Sequence, residues 1–281
     1  MTGMISKRWL INYLLIILIV LFAFIGIRYG VESGLSKNTI SNLKPQDIRS
    51  IAFQSADDAF TLAKSTTQWY IESPINWPAN NIAVERVLSI TRTEIESSLP
   101  ADEIDLATLG LQSPRAILTV DDTRFAFGAI NNIGNRRYVM TGSKIYLIAD
   151  IHLHFFTQGL KGIIDRRLLP RSLALQNLRL GDLNLSKTTN GGWQNDGEAI
   201  APDQLNNLIT NWQTLEASII KTYRKASMPG QKITAGLEDG SKLEFYLMAT
   251  SPEIVIARPD LGLQYHFAEG RYYGLLAVAR E

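Results

Sequence analysis

Cysteine is absent from the 281 residues. That excludes disulfides, thiolate metal sites and thiol catalysis, and leaves apolar burial to hold the fold. A chain of this length can bury enough surface without such staples. Histidine is scarce, at three. A basic excess is also missing, since the formal net charge is only +1. Lys7, Arg8 and Arg28 lie in residues 1–29, which contain no acid, so the remainder carries 25 bases against 27 acids. Such a body offers no positive field for phosphates, which disfavours nucleic-acid binding. The signatures G-x-S-x-G, H-E-x-x-H and G-x-x-x-x-G-K do not occur, so no catalytic residue or cofactor site is expected.

What is present begins with one long apolar run. "WLINYLLIILIVLFAFIGI", residues 9–27, has no charge, and Asn12 is its strongest polar side chain. As a helix it nearly matches the hydrocarbon core of a bilayer. Trp9, Tyr13 and Tyr29 suit the headgroup level, and Lys7, Arg8 and Arg28 bracket the span. A cleaved signal peptide would have a shorter apolar region and a small-x-small site. "FAFIGIRYG" offers no good one, which favours an uncleaved anchor. The bias of bases toward Lys7 and Arg8 places residues 1–8 in the cytoplasm and the body outside it. The expected setting is a membrane crossed once, with the body extracytoplasmic. Residues 28–44 read as a polar tether.

The body is written twice. "LRLGDLNLS" should form a hairpin at Gly181-Asp182 that puts Leu178, Leu180, Leu183 and Leu185 on one face. In the first half, Ile51 and Phe53 sit across a polar turn from Phe60 and Leu62. A tryptophan on a short strand follows each hairpin, Trp69 and then Trp193, each expected to plug the gap between helix and sheet. Next come proline-bearing helix starts, "WPANN" and "APDQ". Val84, Val87, Leu88 and Thr91 share their spacing with Leu205, Leu208, Ile209 and Trp212, one apolar helical face in each half. "AILTVDDTRFAFG" corresponds to "ITAGLEDGSKLEFYL", and the strand pairs that follow place Tyr146 opposite Tyr265 in the alignment of halves. An ordered series of this kind indicates tandem duplication. The expected fold is α+β: two modules, 45–160 and 170–281, each an antiparallel sheet with one packed helix, joined by a linker at 161–169.

Few residues suggest chemistry. Asp150, His152 and His154 would converge on a metal only from a strand, with His266 as a distant fourth; as a short helix the two imidazoles would diverge, and no metal is expected. Asp121-Asp122 reads as a turn, mirrored by Glu238-Asp239. "GAINNIGN", 128–135, lacks the strand-to-helix context of a phosphate loop and reads as a turn. Arg166 and Arg167, in the linker, should pair with acids across the modules or meet an acidic partner. Trp193 could stack on a sugar, although its counterpart at Trp69 points to the core.

Several of these segments resemble a known family. "QWYIESPINWPANNIAVERVLSI", "LATLGLQSPRAILTV", "FAFGAINNIGNRRYVM", "KIYLIA" and "IDRRLLP" follow an N-terminal anchor. Together they are similar to the bacterial family of domain of unknown function 4340. Its tryptophan strand, Pro-Ala helix start, L-G-L-x-x-P segment and Y-V strand fall here on Trp69, Pro78 to Asn80, Leu109 to Pro114, and Tyr138-Val139. The resemblance implies no catalytic residue. It does imply association with an ABC transporter of the gliding type and its exported auxiliary subunit. The expectation is a non-catalytic envelope protein, in contact with the bilayer through 9–27, whose body docks onto such a complex. The alternative is a periplasmic module that grips a polysaccharide or lipid between its halves.

Overall fold

The computed structural model describes residues 38–131, 134–155, 158–224 and 230–278. The expected cytoplasmic tail, the apolar span 9–27 and its flanking Lys7, Arg8, Trp9, Tyr13, Arg28 and Tyr29 lie outside the described residues. Among the described residues, no helix is long and apolar enough to cross a membrane.

The chain is mostly antiparallel sheet with few helices. Alternating burial sets the strands: β1 (Ser50–Ser55) hides Ile51 and Phe53, and β2 (Ala59–Ser65) hides Phe60 and Leu62. Their register pairs Ile51 with Leu62 and Phe53 with Phe60, whose rings stack at 5.1 Å. β3 (Gln68–Ser73) carries Trp69 into the core, and β4 (Trp77–Pro78) follows. Pro78 therefore sits on an edge strand, not in the first helical turn as its sequence context suggested, and Asn80 caps the helix instead. Its Oδ1 accepts the Ala83 N–H at 3.1 Å at the start of α1 (Asn81–Leu88). The cap matters because a helix start leaves its first N–H groups without partners. Val84, Val87, Leu88 and Thr91 are all buried, as the spacing predicts. The half continues with β5 (Ser98–Pro100), β6 (Ala116–Val120), β7 (Thr123–Asn131), β8 (Arg136–Thr141) and β9 (Lys144–Ala149).

After the short helix α2 (Leu160–Ile163) come β10 (Leu175–Leu180), β11 (Leu183–Lys187), β12 (Trp193–Asn195) and α3 (Pro202–Thr214). Here the proline is at the helix start, where its missing N–H costs nothing, and Leu205, Leu208, Ile209 and Trp212 are buried. Then follow β13 (Ile219–Thr222), β14 (Gln231–Leu237), β15 (Lys242–Ala249), β16 (Glu253–Arg258), β17 (Leu263–Ala268) and α4 (Tyr272–Leu275). The Gly181 hairpin pairs Leu178 with Leu185 and Leu180 with Leu183 as read from sequence. Trp193 differs from Trp69: it is only half-buried against the core, and Trp212 on α3 fills the deep position.

The first sheet has the order β4-β3-β2-β1-β6-β7-β8-β9-β5, and the second β12-β11-β10-β14-β15-β16-β17-β13. Apart from β4, the two orders coincide position by position. The match extends to single hydrogen bonds. Asp121 N–H donates to the Ser50 carbonyl at 3.0 Å, and Glu238 N–H donates to that of Ala174 at 2.9 Å. Each acid also accepts the backbone N–H of that same partner, at 2.8 and 3.1 Å.

The outer face of the first sheet is roofed by residues 101–114. Leu111 packs there on Ala126 and Ile145, with Ile104, Leu106 and Leu109 around them. Gly110 takes a φ of +66°, and Ala129 N–H donates to the Leu109 carbonyl at 2.8 Å. This approach is possible because Gly128 has no side chain: a Cβ there would overlap the Leu109 carbonyl oxygen. The L-G-L segment thus has a packing role. Gly128→Ala should cost about 1–3 kcal/mol of stability and expose the 101–114 segment to proteolysis. Denaturant melts and limited digestion check this; a variant as stable and resistant as the parent would contradict the overlap.

Candidate functional site

The joint between the halves buries three charged side chains, Asp165, Arg167 and Arg258. The linker bonds to both halves through its backbone. Asn80 N–H donates to the Ile163 carbonyl at 2.7 Å, Asp165 N–H to that of Pro78 at 3.0 Å, and Ala217 N–H to that of Arg166 at 2.9 Å. Bridges Ala79–Ile164 and Arg167–Glu216 complete the stitching. Ile163, Ile164, Leu168 and Leu169 are buried beneath it.

Two guanidiniums are enclosed here. Arg167 pairs with Asp165, two residues before it, through Nε at 3.1 Å and through Nη2. The expected pairing of Arg166 and Arg167 with acids across the modules is therefore replaced by a local pair. Arg166 donates to the Ser218 carbonyl at 3.3 Å, and it is Arg171 that lies between Asp165 (3.8 Å) and Glu216 (3.7 Å).

Arg258, 1% exposed, is the deeper of the two. Its guanidinium lies 4.4 Å from the Trp77 ring of the first half and 4.9 Å from the Phe245 ring of the second. Its nitrogens donate to both Asp260 oxygens, at 2.9 and 2.6 Å, and to the Leu168 carbonyl at 3.3 Å. Partial burial works against ionisation of Asp260, but the hydrogen bonds and charge of Arg258 outweigh it and hold the carboxyl below its ordinary range. Burial likewise pushes the Tyr265 phenol well up. Tyr265 Oη and Trp77 Nε1 are buried without a hydrogen-bond partner. A lone arginine closing the apolar strand "EIVIAR", with an acid two residues on, was the one sequence signal for this cluster. The linker and Arg258 occupy the space between the halves at this cluster.

The residues considered for metal binding are held apart in other bonds. Asp150 takes Arg137 at 2.5 and 3.0 Å. His152 meets Thr93 Oγ1 at 2.8 Å and Ser89 Oγ at 3.4 Å, and burial lowers its pKa, so the neutral ring is favoured. His154 is exposed on the short helical turn Leu153–Phe155. His266 pairs with Glu253 at 2.7 Å. Among the described residues no three such side chains could share an ion. His152 has a further consequence, because Thr93 accepts the Ile40 N–H at 2.9 Å. Ile40, inside the expected tether, is buried, so the chain is docked on the first half from that point.

Two of the openings that face solvent among the described residues have walls suited to recognition. The larger, about 580 Å³, lies at the end of β1 and β6 and is walled by α2 and the Leu153 turn. Phe53, Ala116, Pro114 and Leu153 form its apolar side, and Arg115, Asp57 and Lys161 its charged side. The other, about 450 Å³, is lined by Thr250, Ser251, Glu269, Tyr272 and Tyr273. Tyr272 and Tyr273 are 38% and 67% exposed, with rings edge to face at 5.4 Å. They are presented rigidly, since Trp212 Nε1 donates to the Leu275 carbonyl at 2.7 Å and Asn211 Nδ2 to that of Gly274 at 2.9 Å. Sequence pattern singled out neither opening, because each draws residues from segments far apart in the chain.

Residues 69–232 match the family model described as a domain of unknown function, DUF4340. The chain matches no curated protein and no solved structure.

Removing the central guanidinium tests the joint. Arg258→Ala should cost about 3 kcal/mol and split a single calorimetric transition into two, one for each half. A variant that melts once, at the parent temperature, would contradict the role given to Arg258.

Proposed function

The chain belongs to the DUF4340 family, and we propose that it is a non-catalytic, single-pass envelope protein built by tandem duplication. Its body, held outside the cytoplasm by residues 9–27, docks onto a membrane complex such as an ABC transporter or its auxiliary subunit. The repeated strand order supports the duplication. The observation that carries the docking is the tyrosine pair. Tyr272 and Tyr273 stand exposed on a segment latched to α3. Rigid aromatic anchors of this kind dominate protein interfaces because they bury much area and lose little freedom. Tethering completes the mechanism. An anchored body meets its partner at high local concentration, so a modest surface suffices. The buried arginines fit this reading, since Arg258, Arg167 and Arg137 are all spent on neighbouring carboxylates.

A photo-crosslinking amino acid at Tyr273 in intact cells should give one adduct, with an integral envelope protein. The same group at Lys242, on the exposed end of β15, should give none. Identical adduct patterns from the two positions, or recovery of the intact chain in the soluble fraction, would overturn the reading.

A further inference from the structure

We infer that the 580 Å³ cavity beside the linker binds the head and upper acyl segment of a zwitterionic phospholipid. The inference rests on the membrane-anchored reading of residues 9–27. Its wall is preformed. Asp58 Oδ2 accepts the Leu160 N–H at 2.9 Å, which pins α2 against the β1–β2 turn. Gly159, at φ +55°, leaves room for that carboxylate, which a side chain there would overlap. With Asp58 engaged, charges of both signs line the rim: Arg115 and Lys161 against Asp57. Lys161 Nζ also donates to Thr222 at 3.4 Å, so its ammonium reaches from the rim toward the second half.

A mixed rim of this kind suits a molecule bearing a phosphate and an ammonium. The phosphate would face the guanidinium, and the ammonium would face Asp57. Below the rim, Pro114 and Leu153 are only half-buried, so their open apolar faces suit methylene groups. An extended peptide is less well served. β1 is paired on both sides, by β2 and β6, so no strand edge is open for backbone pairing here.

The cavity also lies on the side where the body joins its anchor. Leu153 on its wall follows His152, which holds Thr93, which in turn holds Ile40. The ten residues 28–37 cannot reach beyond about 40 Å even fully extended, which bounds how far the body can stand from the bilayer.

The absence of cysteine permits a clean test. The full chain carrying Gln158→Cys, labelled with bimane at the rim, is placed in phosphatidylglycerol nanodiscs containing phosphatidylethanolamine with brominated acyl chains. The bromines should quench this label and spare one introduced by Lys242→Cys. Replacing Arg115→Gln together with Asp57→Asn should raise the brominated lipid needed by about tenfold, the effect of losing a charge-assisted hydrogen bond. Leu153→Trp, which fills the cavity without touching its charges, should abolish the quenching, with unchanged melting temperatures showing that the variants fold. Equal quenching at both labels, or none at the rim while the chain stays with the discs, would overturn the lipid site alone. Equal quenching by brominated phosphatidylglycerol would overturn the zwitterion. A chain that does not associate with the discs would overturn the anchored reading and the site with it.

Discussion

The fold depends on how two sheet edges are closed at once. A strand at the edge of a sheet presents N–H and C=O groups that need partners. At the joint, the linker supplies partners to both halves. Asp165 bonds to Pro78 of β4, Ile163 bonds to Asn80 just after it, and Arg166 bonds to Ala217 just before β13. A connection of this sort cannot swing as a loose tether would, because moving one half would break bonds to the other.

Arg258 reinforces the same constraint from beneath. A guanidinium so enclosed would be costly alone, but Asp260 remains half-exposed and takes its charge, and two aromatic faces flank it. Because Trp77 and Phe245 come from different halves, the cation ties them together as well as being held by them. The outer edges are managed differently. β5 and β12 are only three residues long, and β5 ends in Pro100. Short strands and an edge proline discourage pairing with other chains.

Much of this architecture was legible in sequence, for identifiable reasons. Period-2 and period-3.6 patterns report which face is buried, and so Leu178, Leu185, Val84 and Trp212 fell where expected. The acidic turns were readable because Asp121 and Glu238 serve the same backbone partner in each half. Pro78 and Trp193 were misplaced because the two halves are not identical. The first inserts β4 between its tryptophan strand and its helix, and the second uses Trp212 in the deep position. The joint and the solvent-facing openings were out of reach. Arg258 meets Trp77 across a separation of most of the chain, and no local spacing encodes such a contact.

The central claim is that the two halves form one rigid body. Arg124 on β7 and Lys242 on β15 are exposed, one in each half. With no native cysteine to interfere, a spin label can be placed at each through Arg124→Cys and Lys242→Cys. Pulsed electron resonance on the doubly labelled full chain should return a single narrow distance distribution, as a stitched joint requires. A broad or two-peaked distribution would mean that the halves move independently, and would contradict the account.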